Sequence, residues 1–162
     1  MSSFQPVRGT HDLLPDAFRY HKQVTDIARD IAARYGFQEM APPVFEFTQV
    51  FSRTMGETSD VVAKEMYTFA DRSGEQQMTL RPEFTAGICR AFASNALYDE
   101  APFKAFATGP LFRYERPQKG RQRQFHQIDV EILGAPGAAA DIEVLAVGQH
   151  ILEELGVADN VT

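Results

Sequence analysis

"LFRYERPQKGRQRQFHQIDVEI", Leu111 to Ile132, reads as two strands joined by a cationic loop. Strands are predicted over Ala105–Glu115 and Gln124–Leu133, where aromatic and β-branched residues concentrate. Side chains alternate along a strand, so each can be read by face. In the first, Leu111, Arg113 and Glu115 point one way, and Phe112 and Tyr114 the other. In the second, His126, Ile128, Val130 and Ile132 share an apolar face, which makes His126 a structural residue. The opposite face carries Phe125, Gln127, Asp129 and Glu131. One side of the pair is greasy enough to lie under a helix. The other is a platform bearing a guanidinium, an amide, an aromatic ring and carboxylates. Alternation alone does not choose between a pocket and a solvated polar face.

The loop between the strands sharpens the question. Five cations stand between Arg113 and Arg123 against one acid, in a chain of formal net charge -6. At Arg116 to Arg123 the loop exceeds the usual hairpin connection of about 2–5 residues. Arg116, Lys119, Arg121 and Arg123 repel one another without a ligand. Guanidinium groups match phosphate oxygens bidentately, so such a loop suits closure over a nucleotide triphosphate. The competing reading is an exposed charged hairpin tip, and charge alone leaves both open.

Outward from this hairpin, the elements indicate an α+β fold, an antiparallel sheet flanked by helices. A helix is predicted after "RGTHDLLPDAF", with Asp12 or Pro15 punctuating its start. Tyr20, Val24, Ile27, Ile31 and Tyr35 lie on one face, and Gly36 ends it. "FQEMAPPVFEF" reads as short extended pieces around Pro42 and Pro43, followed by a short helix near Gln49 to Met55. Met66–Ala70 and Gln77–Leu80 read as a hairpin about an Asp-Arg-Ser-Gly turn. Pro82 then suits a first helical turn, with Phe84, Ile88, Phe92 and Ala96 at helical spacing. After the Pro136-Gly137 turn, Asp141 to Leu155 is an apolar helix stopped by Gly156.

Composition excludes several classes. The sequence has 162 residues, 44% of them hydrophobic, enough for one domain or a piece of a larger one. Net acidity argues against a surface that coats nucleic acid throughout, so any polyanion contact is local. Cys89 is the single cysteine and forms no internal disulfide; a small buried thiol in a reducing, cytoplasmic setting is expected. No apolar leader or membrane-spanning window is visible. His11, His21, His126 and His150 with Cys89 give no zinc spacing, so no metal site built from side chains is expected.

"RPEFTAG" supplies a second candidate site. Glu83 and Thr85 fall in a first helical turn, where a carboxylate is favoured by the dipole and a hydroxyl can cap free amides. That account suffices for an ordinary helix. The functional account has Glu83 receiving an ammonium group beside Thr85.

These residues carry a resemblance. "LFRYE", the basic loop and "FHQIDVE" together resemble motif 2 of the class II aminoacyl-tRNA synthetases. "RGTHDLLP", "TLRPEFTAG" and "ERPQKGRQRQFHQ" narrow this to the histidyl-tRNA synthetase family, and the likeness runs from Val7 to Leu155 in the family's order. "YGFQEMAPPVFE" resembles motif 1, with Pro43 at the proline of the family's homodimer interface.

The resemblance implies ATP and histidine as substrates, with magnesium. It gives Arg113 the α-phosphate, Glu115 the adenine end, Phe125 a stacking contact with adenine and Arg121 the outer phosphates. It makes Glu83, Thr85, Gln127 and Glu131 the histidine-binding positions, and puts the loop near the acceptor end of tRNA(His). No side chain need act as nucleophile, because the substrate carboxylate attacks the α-phosphorus.

Two departures stand out. Phe84 occupies a position where many members carry glycine. The resemblance also makes residues 1–162 the N-terminal portion of the catalytic domain, with motifs 1 and 2 but without motif 3 and the anticodon-binding domain. Alone, such a chain is expected to be inactive or nearly so. The rival is the family's non-catalytic paralogue, the regulatory subunit of ATP phosphoribosyltransferase. Its motif 2 typically departs from the "FHQ" kept here at Phe125–Gln127, which favours the synthetase. A plain nucleic-acid-binding module would leave Glu83, Gln127 and Glu131 without a role, and its aromatics are not interleaved with the cations as stacking platforms.

Overall fold

Both strands expected around the cationic loop are present, the second over Gln124–Leu133 as read and the first shifted at both ends, to Phe103–Phe112. The computed structural model describes residues 4–56 and 61–161. Helices α1 (Pro15–Arg34), α2 (Thr48–Met55), α3 (Thr85–Ser94) and α4 (Ala138–Glu154) are interspersed with six strands. These are β1 (Gln38–Glu39), β2 (Phe45–Phe47), β3 (Thr68–Ala70), β4 (Gln77–Leu80), β5 (Phe103–Phe112) and β6 (Gln124–Leu133). The fold is α+β, but the strands form two small sheets. One, β2-β4-β3, is antiparallel; in the other, β1-β5-β6, β1 runs parallel to β5. A two-residue strand has no period to read, so nothing local in the sequence announces that pairing.

The chain divides into two compact units: Met1–Asp12, Pro42–Arg90 and Gly109–Gln127 form the first, and Leu13–Ala41, Ala91–Thr108 and Ile128–Thr162 the second.

In the second unit, Ala28, Ile31 and Ala32 of α1 meet Phe37, Phe106 of β5, and Val147 and Ile151 of α4. Ile128, Val130 and Ile132 of β6 pack against this cluster, as strand alternation predicts. The face expected of α1 is partly displaced. Ile27, Ile31 and Tyr35 join the core, but Tyr20 is 70% exposed and Val24 is also exposed. No residue from 15 to 26 is buried, so only the C-terminal half of this amphipathic helix meets the core. Gly36 follows α1 with φ 80, a backbone region open to glycine without a Cβ penalty. Arg29 forks onto Glu39, Nε at 2.7 Å and Nη2 at 3.0 Å, tying α1 to β1. Lys104 pairs with Glu143 and donates to the Tyr35 carbonyl at 3.1 Å.

The first unit is built on β2-β4-β3, in register Phe45↔Leu80 and Thr68↔Thr79. Thr79 is fully buried, and its hydroxyl lies 2.9 Å from that of Thr48 and 3.0 Å from that of Thr68. A buried hydroxyl without partners would cost about 1–3 kcal/mol, so this chain of three keeps the sheet centre satisfied. Phe51, Phe84, Ile88 and Leu111 are fully buried core residues. Cys89, expected buried, is half-buried.

The predicted Asp-Arg-Ser-Gly turn joins β3 to β4. The Asp71 carboxylate accepts from the Ser73 hydroxyl at 2.8 Å and from the Glu75 amide at 3.1 Å. These donors, Ser73 first, hold Asp71 below the ordinary aspartate pKa. Because the folded value is the lower one, the stabilisation is present above the unfolded pKa. It is lost as pH falls through the folded pKa. A carbon-detected NMR titration should give Asp71 a midpoint below that of an unfolded-chain aspartate. A midpoint at or above it would show that the turn does not hold the carboxylate.

The basic loop folds back on itself. Gln118 and Arg121 exchange backbone hydrogen bonds of 3.2 and 2.9 Å around Lys119-Gly120, with Gly120 at φ 80. Among the described residues, no helix is long and apolar enough to cross a membrane.

Candidate functional site

Residues expected on a regular strand face come to the site through a bend. β5 ends at Phe112, short of the predicted Glu115. The Arg113 amide donates to Arg123 O at 3.0 Å and the Tyr114 amide to Glu65 O at 2.6 Å. The Glu115 amide then turns back to Arg113 O at 2.8 Å. A bond across two residues is a tight turn, so alternation fails beyond Phe112. Arg113 and Glu115 are therefore oriented by this turn rather than by the pleat.

Arg113 is half-buried and held at two points. Its Nε donates to the Pro82 carbonyl at 2.9 Å, and its guanidinium lies over the Phe125 ring, 5.2 Å from the centroid. That separation is a cation–π contact. The cation and the aromatic ring predicted for the site are thus assembled against the segment that carries Glu83.

Glu83 stands just before α3, which begins at Thr85, three residues after Pro82. Pro82 therefore lies ahead of the helix, outside its first turn. The Glu83 carboxylate accepts the Ala86 amide, at 3.0 and 3.2 Å to its two oxygens. The dipole reading of Glu83 holds through this cap. Phe84, at the glycine position of many relatives, is 1% exposed and packs into the core of the unit.

Glu115 faces the loop. Its carboxylate pairs with Arg121 Nη1 at 3.1 Å, and its carbonyl accepts Arg123 Nε at 3.1 Å. The Glu115 side chain is 14% exposed and that of Arg121 62%, so this ion pair has one wet end. Arg123 also lies over the Tyr114 ring at 4.0 Å, and its amide donates to Gly9 O at 2.7 Å. Gly9 has φ 86, and a Cβ there would sit 2.7 Å from Arg123 Cγ. The "RGTHD" segment thus closes on the base of the loop only because residue 9 is glycine. Arg8, Tyr114, Glu115, Arg116, Pro117 and Arg123 line a cavity of about 350 Å³ here. Three arginines around one carboxylate make it a place for an anion. A larger cavity of about 450 Å³, bounded by Phe47, Thr48, Gln49, Ser52, Gln76 and Gln77, holds none of the predicted residues.

Thr85, Phe125 and Gln127 are half-buried in the same unit as Arg113, Glu115, Arg121 and Glu83. Glu131 belongs to the second unit, also half-buried, farther along β6. His126 corrects an expectation. It is exposed, although the alternation put it with the apolar residues of β6. The core under that face is made by Ile128, Val130 and Ile132 and does not extend to His126.

Sequence reasoning passed over Arg81. It is 6% exposed, with Nη1 donating to Pro42 O at 2.7 Å and Nε to Pro110 O at 3.0 Å. Burial lowers its pKa from the ordinary arginine value, yet arginine stays protonated in proteins. An arginine between Leu80 and Pro82 in an apolar stretch was the available signal, but its partners lie 39 and 29 positions away. Among the described residues, no group of three or more His, Cys, Asp or Glu is arranged to hold a metal ion.

Comparisons with known proteins identify the family and the fold. The family model for histidyl-tRNA synthetase matches residues 9–162. The histidine–tRNA ligase of Rhodospirillum rubrum is 59% identical over 157 residues, covering 97% of this chain and 38% of that protein. A solved structure of apo S. aureus histidyl-tRNA synthetase superposes with TM-score 0.78 at 33% identity, over 95% of this chain and 35% of its own. A Bacillus halodurans structure described as an ATP phosphoribosyltransferase regulatory subunit/histidyl-tRNA synthetase gives TM-score 0.80 at 27% identity, over 96% of this chain and 39% of its own. The chain therefore spans well under half the length of the relatives it matches.

Proposed function

The chain belongs to the histidyl-tRNA synthetase family, and from that premise we propose that it is the ATP- and histidine-binding N-terminal portion of a class II catalytic domain. The whole protein would join histidine to tRNA(His) through histidyl-adenylate, in the cytoplasm. The observation that carries this reading is the pairing of Arg113 with Phe125 against the Pro82 carbonyl, next to the Glu83 cap. A cation and a carboxylate are thereby held on adjoining segments, as joining a nucleotide to an amino acid requires.

In the proposed reaction, a histidine carboxylate oxygen forms a bond to the α-phosphorus in line with the leaving group. The bond from that phosphorus to the bridging oxygen breaks, and pyrophosphate departs with the electron pair. No proton transfer is needed. Arg113 stabilises the charge that gathers on the α-phosphoryl oxygens, and positioning supplies much of the rest. Phe125 offers a face to adenine beside Glu115. Arg121 reaches the outer phosphates after leaving Glu115. Water reaches the Arg121 end and screens this pair to about 1 kcal/mol, so a triphosphate can outcompete that pairing. Magnesium would arrive with the nucleotide, bound to its phosphate oxygens.

Glu83, Thr85, Gln127 and Glu131 would receive histidine, with carboxylates for its ammonium group and ring nitrogens. The exposed cations Arg116 and Lys119 suit the acceptor end of the tRNA. A homodimer through motif 1 has support in Val44, Phe45, Phe47 and Phe69, all exposed around the β2-β4-β3 sheet.

The test is amino-acid-dependent ATP–pyrophosphate exchange on the product of the complete gene, with all twenty amino acids. Exchange with histidine alone is expected. No exchange from a folded product would move the assignment to the regulatory paralogue. In the same assay Glu131→Gln should raise the KM for histidine about 10- to 100-fold, the range for a lost charge-assisted hydrogen bond, and the KM for ATP far less. Equal loss of both would indicate general damage to the pocket.

A further inference from the structure

We propose that Arg81 is a positioning residue for histidine binding, clamping the Glu83 segment from beneath through Phe84. This rests on the reading of Glu83 as a histidine-binding residue.

The Arg81 backbone is part of the frame: its amide donates to Val44 O at 2.9 Å, and its carbonyl accepts the Phe112 amide at 3.0 Å. Its side chain then reaches Pro42 O and Pro110 O, on two further stretches of chain. The guanidinium lies over the Phe84 ring, 4.5 Å from the centroid. Glu83 sits between these two residues in sequence. Its position is bounded on one side by Arg81 fixed in the frame, and on the other by Phe84 buried beneath the guanidinium. From the site side, Arg113 donates to Pro82 O.

Space has been kept for this arrangement. Gly109 has φ 152, and a Cβ there would lie 2.9 Å from Arg81 Nη2 and 3.7 Å from Phe84 Cζ. Among the described residues no carboxylate forms an ion pair with Arg81; its acceptors are two backbone carbonyls. A buried cation satisfied in this way has high positional specificity, because a planar fork meets acceptors in fixed directions. Lysine, a point donor on a flexible stem, keeps the charge but cannot meet both carbonyls and lie flat on the ring.

The role differs from simple packing. Packing loss lowers the folded fraction and leaves the folded enzyme's affinities alone. A shifted Glu83 raises the KM for histidine, while any movement passed to Arg113 through the Pro82 carbonyl falls on kcat and leaves the KM for ATP largely untouched. A displacement near 1 Å at a reacting or binding group is worth on the order of 100-fold.

The experiment compares Arg81→Lys, Glu83→Gln and the double variant in the product of the complete gene, using pyrophosphate exchange and thermal melts. Glutamine at 83 keeps an oxygen for the Ala86 amide, so it removes the charge while preserving the cap. Arg81→Lys should raise the histidine KM on the order of 10- to 100-fold, with the ATP KM within about threefold of the parent. The double variant should be no worse for histidine than Glu83→Gln alone, because one effect acts through the other.

An unchanged histidine KM in folded Arg81→Lys, beside a raised one in Glu83→Gln, overturns the clamp and leaves the site assignment standing. Multiplicative effects in the double variant also overturn it, since Arg81 would then act independently of Glu83. An unchanged histidine KM in Glu83→Gln removes the histidine role of Glu83, and the clamp with it. If Arg81→Lys does not fold, Phe84→Leu is the second variant; it keeps apolar volume while removing the ring face. The same histidine-specific rise is then expected, and its absence overturns the proposal.

Discussion

Arg113→Ala, made in the product of the complete gene, is expected to slow histidine-dependent pyrophosphate exchange by about 100- to 1,000-fold, the range for removing one aimed donor from a developing charge. The side chain stands at the end of β5, with Nε on the Pro82 carbonyl and its plane over Phe125. Those two contacts determine where the free Nη groups can go. Their loss removes one charge-assisted hydrogen bond, worth about 1.5–3 kcal/mol, and one partly exposed cation–π contact, worth about 1 kcal/mol. The fold should therefore survive, with an unchanged circular dichroism spectrum and a modest fall in melting temperature. The fall in rate should be mainly in kcat, because the charge on the α-phosphoryl group is greatest in the transition state. Wild-type turnover by the folded variant would remove the phosphate role from Arg113. A large rise in KM with unchanged kcat would make it a ground-state binder instead.

Phe106→Ala is expected to have the largest effect on stability, about 3–5 kcal/mol, the usual range for deleting a buried phenyl group. Phe106 is 1% exposed and sits in the cluster formed with Ala28, Ile31, Ala32, Phe37, Val147 and Ile151. Its backbone is also engaged, pairing with Glu39 and accepting the Met40 amide at 2.9 Å. A strand residue held by its ladder cannot retreat into the space its side chain leaves, so the cavity persists. Urea titration followed by circular dichroism reads the change, with Tyr20→Ala as the control. Tyr20 is 70% exposed and should lose less than about 1 kcal/mol. A Phe106→Ala cost as small as that would mean the cluster does not hold the second unit together.

Much of the fold was legible in the residue pattern, as was the gathering of most candidate site residues in one unit. β6 lies over Gln124–Leu133 as read, because ten residues of alternation leave little freedom in register or face. α2 and α4 fall within one and three residues of their predicted starts. The Asp71–Gly74 turn was carried by local side-chain chemistry, which needs no distant partner. Conversely, Tyr20 and Val24 satisfied the helical period and are exposed. Period reports which residues share a face, but not whether anything packs against it.

What the sequence determined by itself is what depends on neighbours a few positions apart: the helices, the β3–β4 and β5–β6 hairpins, the gathering of cations between Arg113 and Arg123, and the motifs that identify the family. Tertiary structure alone decided what depends on distant carbonyls and rings. β1 finds its parallel partner 67 positions away, Gln38 facing Ala105. The turn at Arg113–Glu115 redirects two site residues off the pleat because Arg123 and Glu65 offer acceptors there. Arg81 becomes a buried cation only where Pro42, Pro110 and Phe84 converge on it. Local torsional and hydrogen-bonding preferences act over one or two turns of chain. A guanidinium is committed to its acceptors only after the folded chain has carried them within about 3 Å.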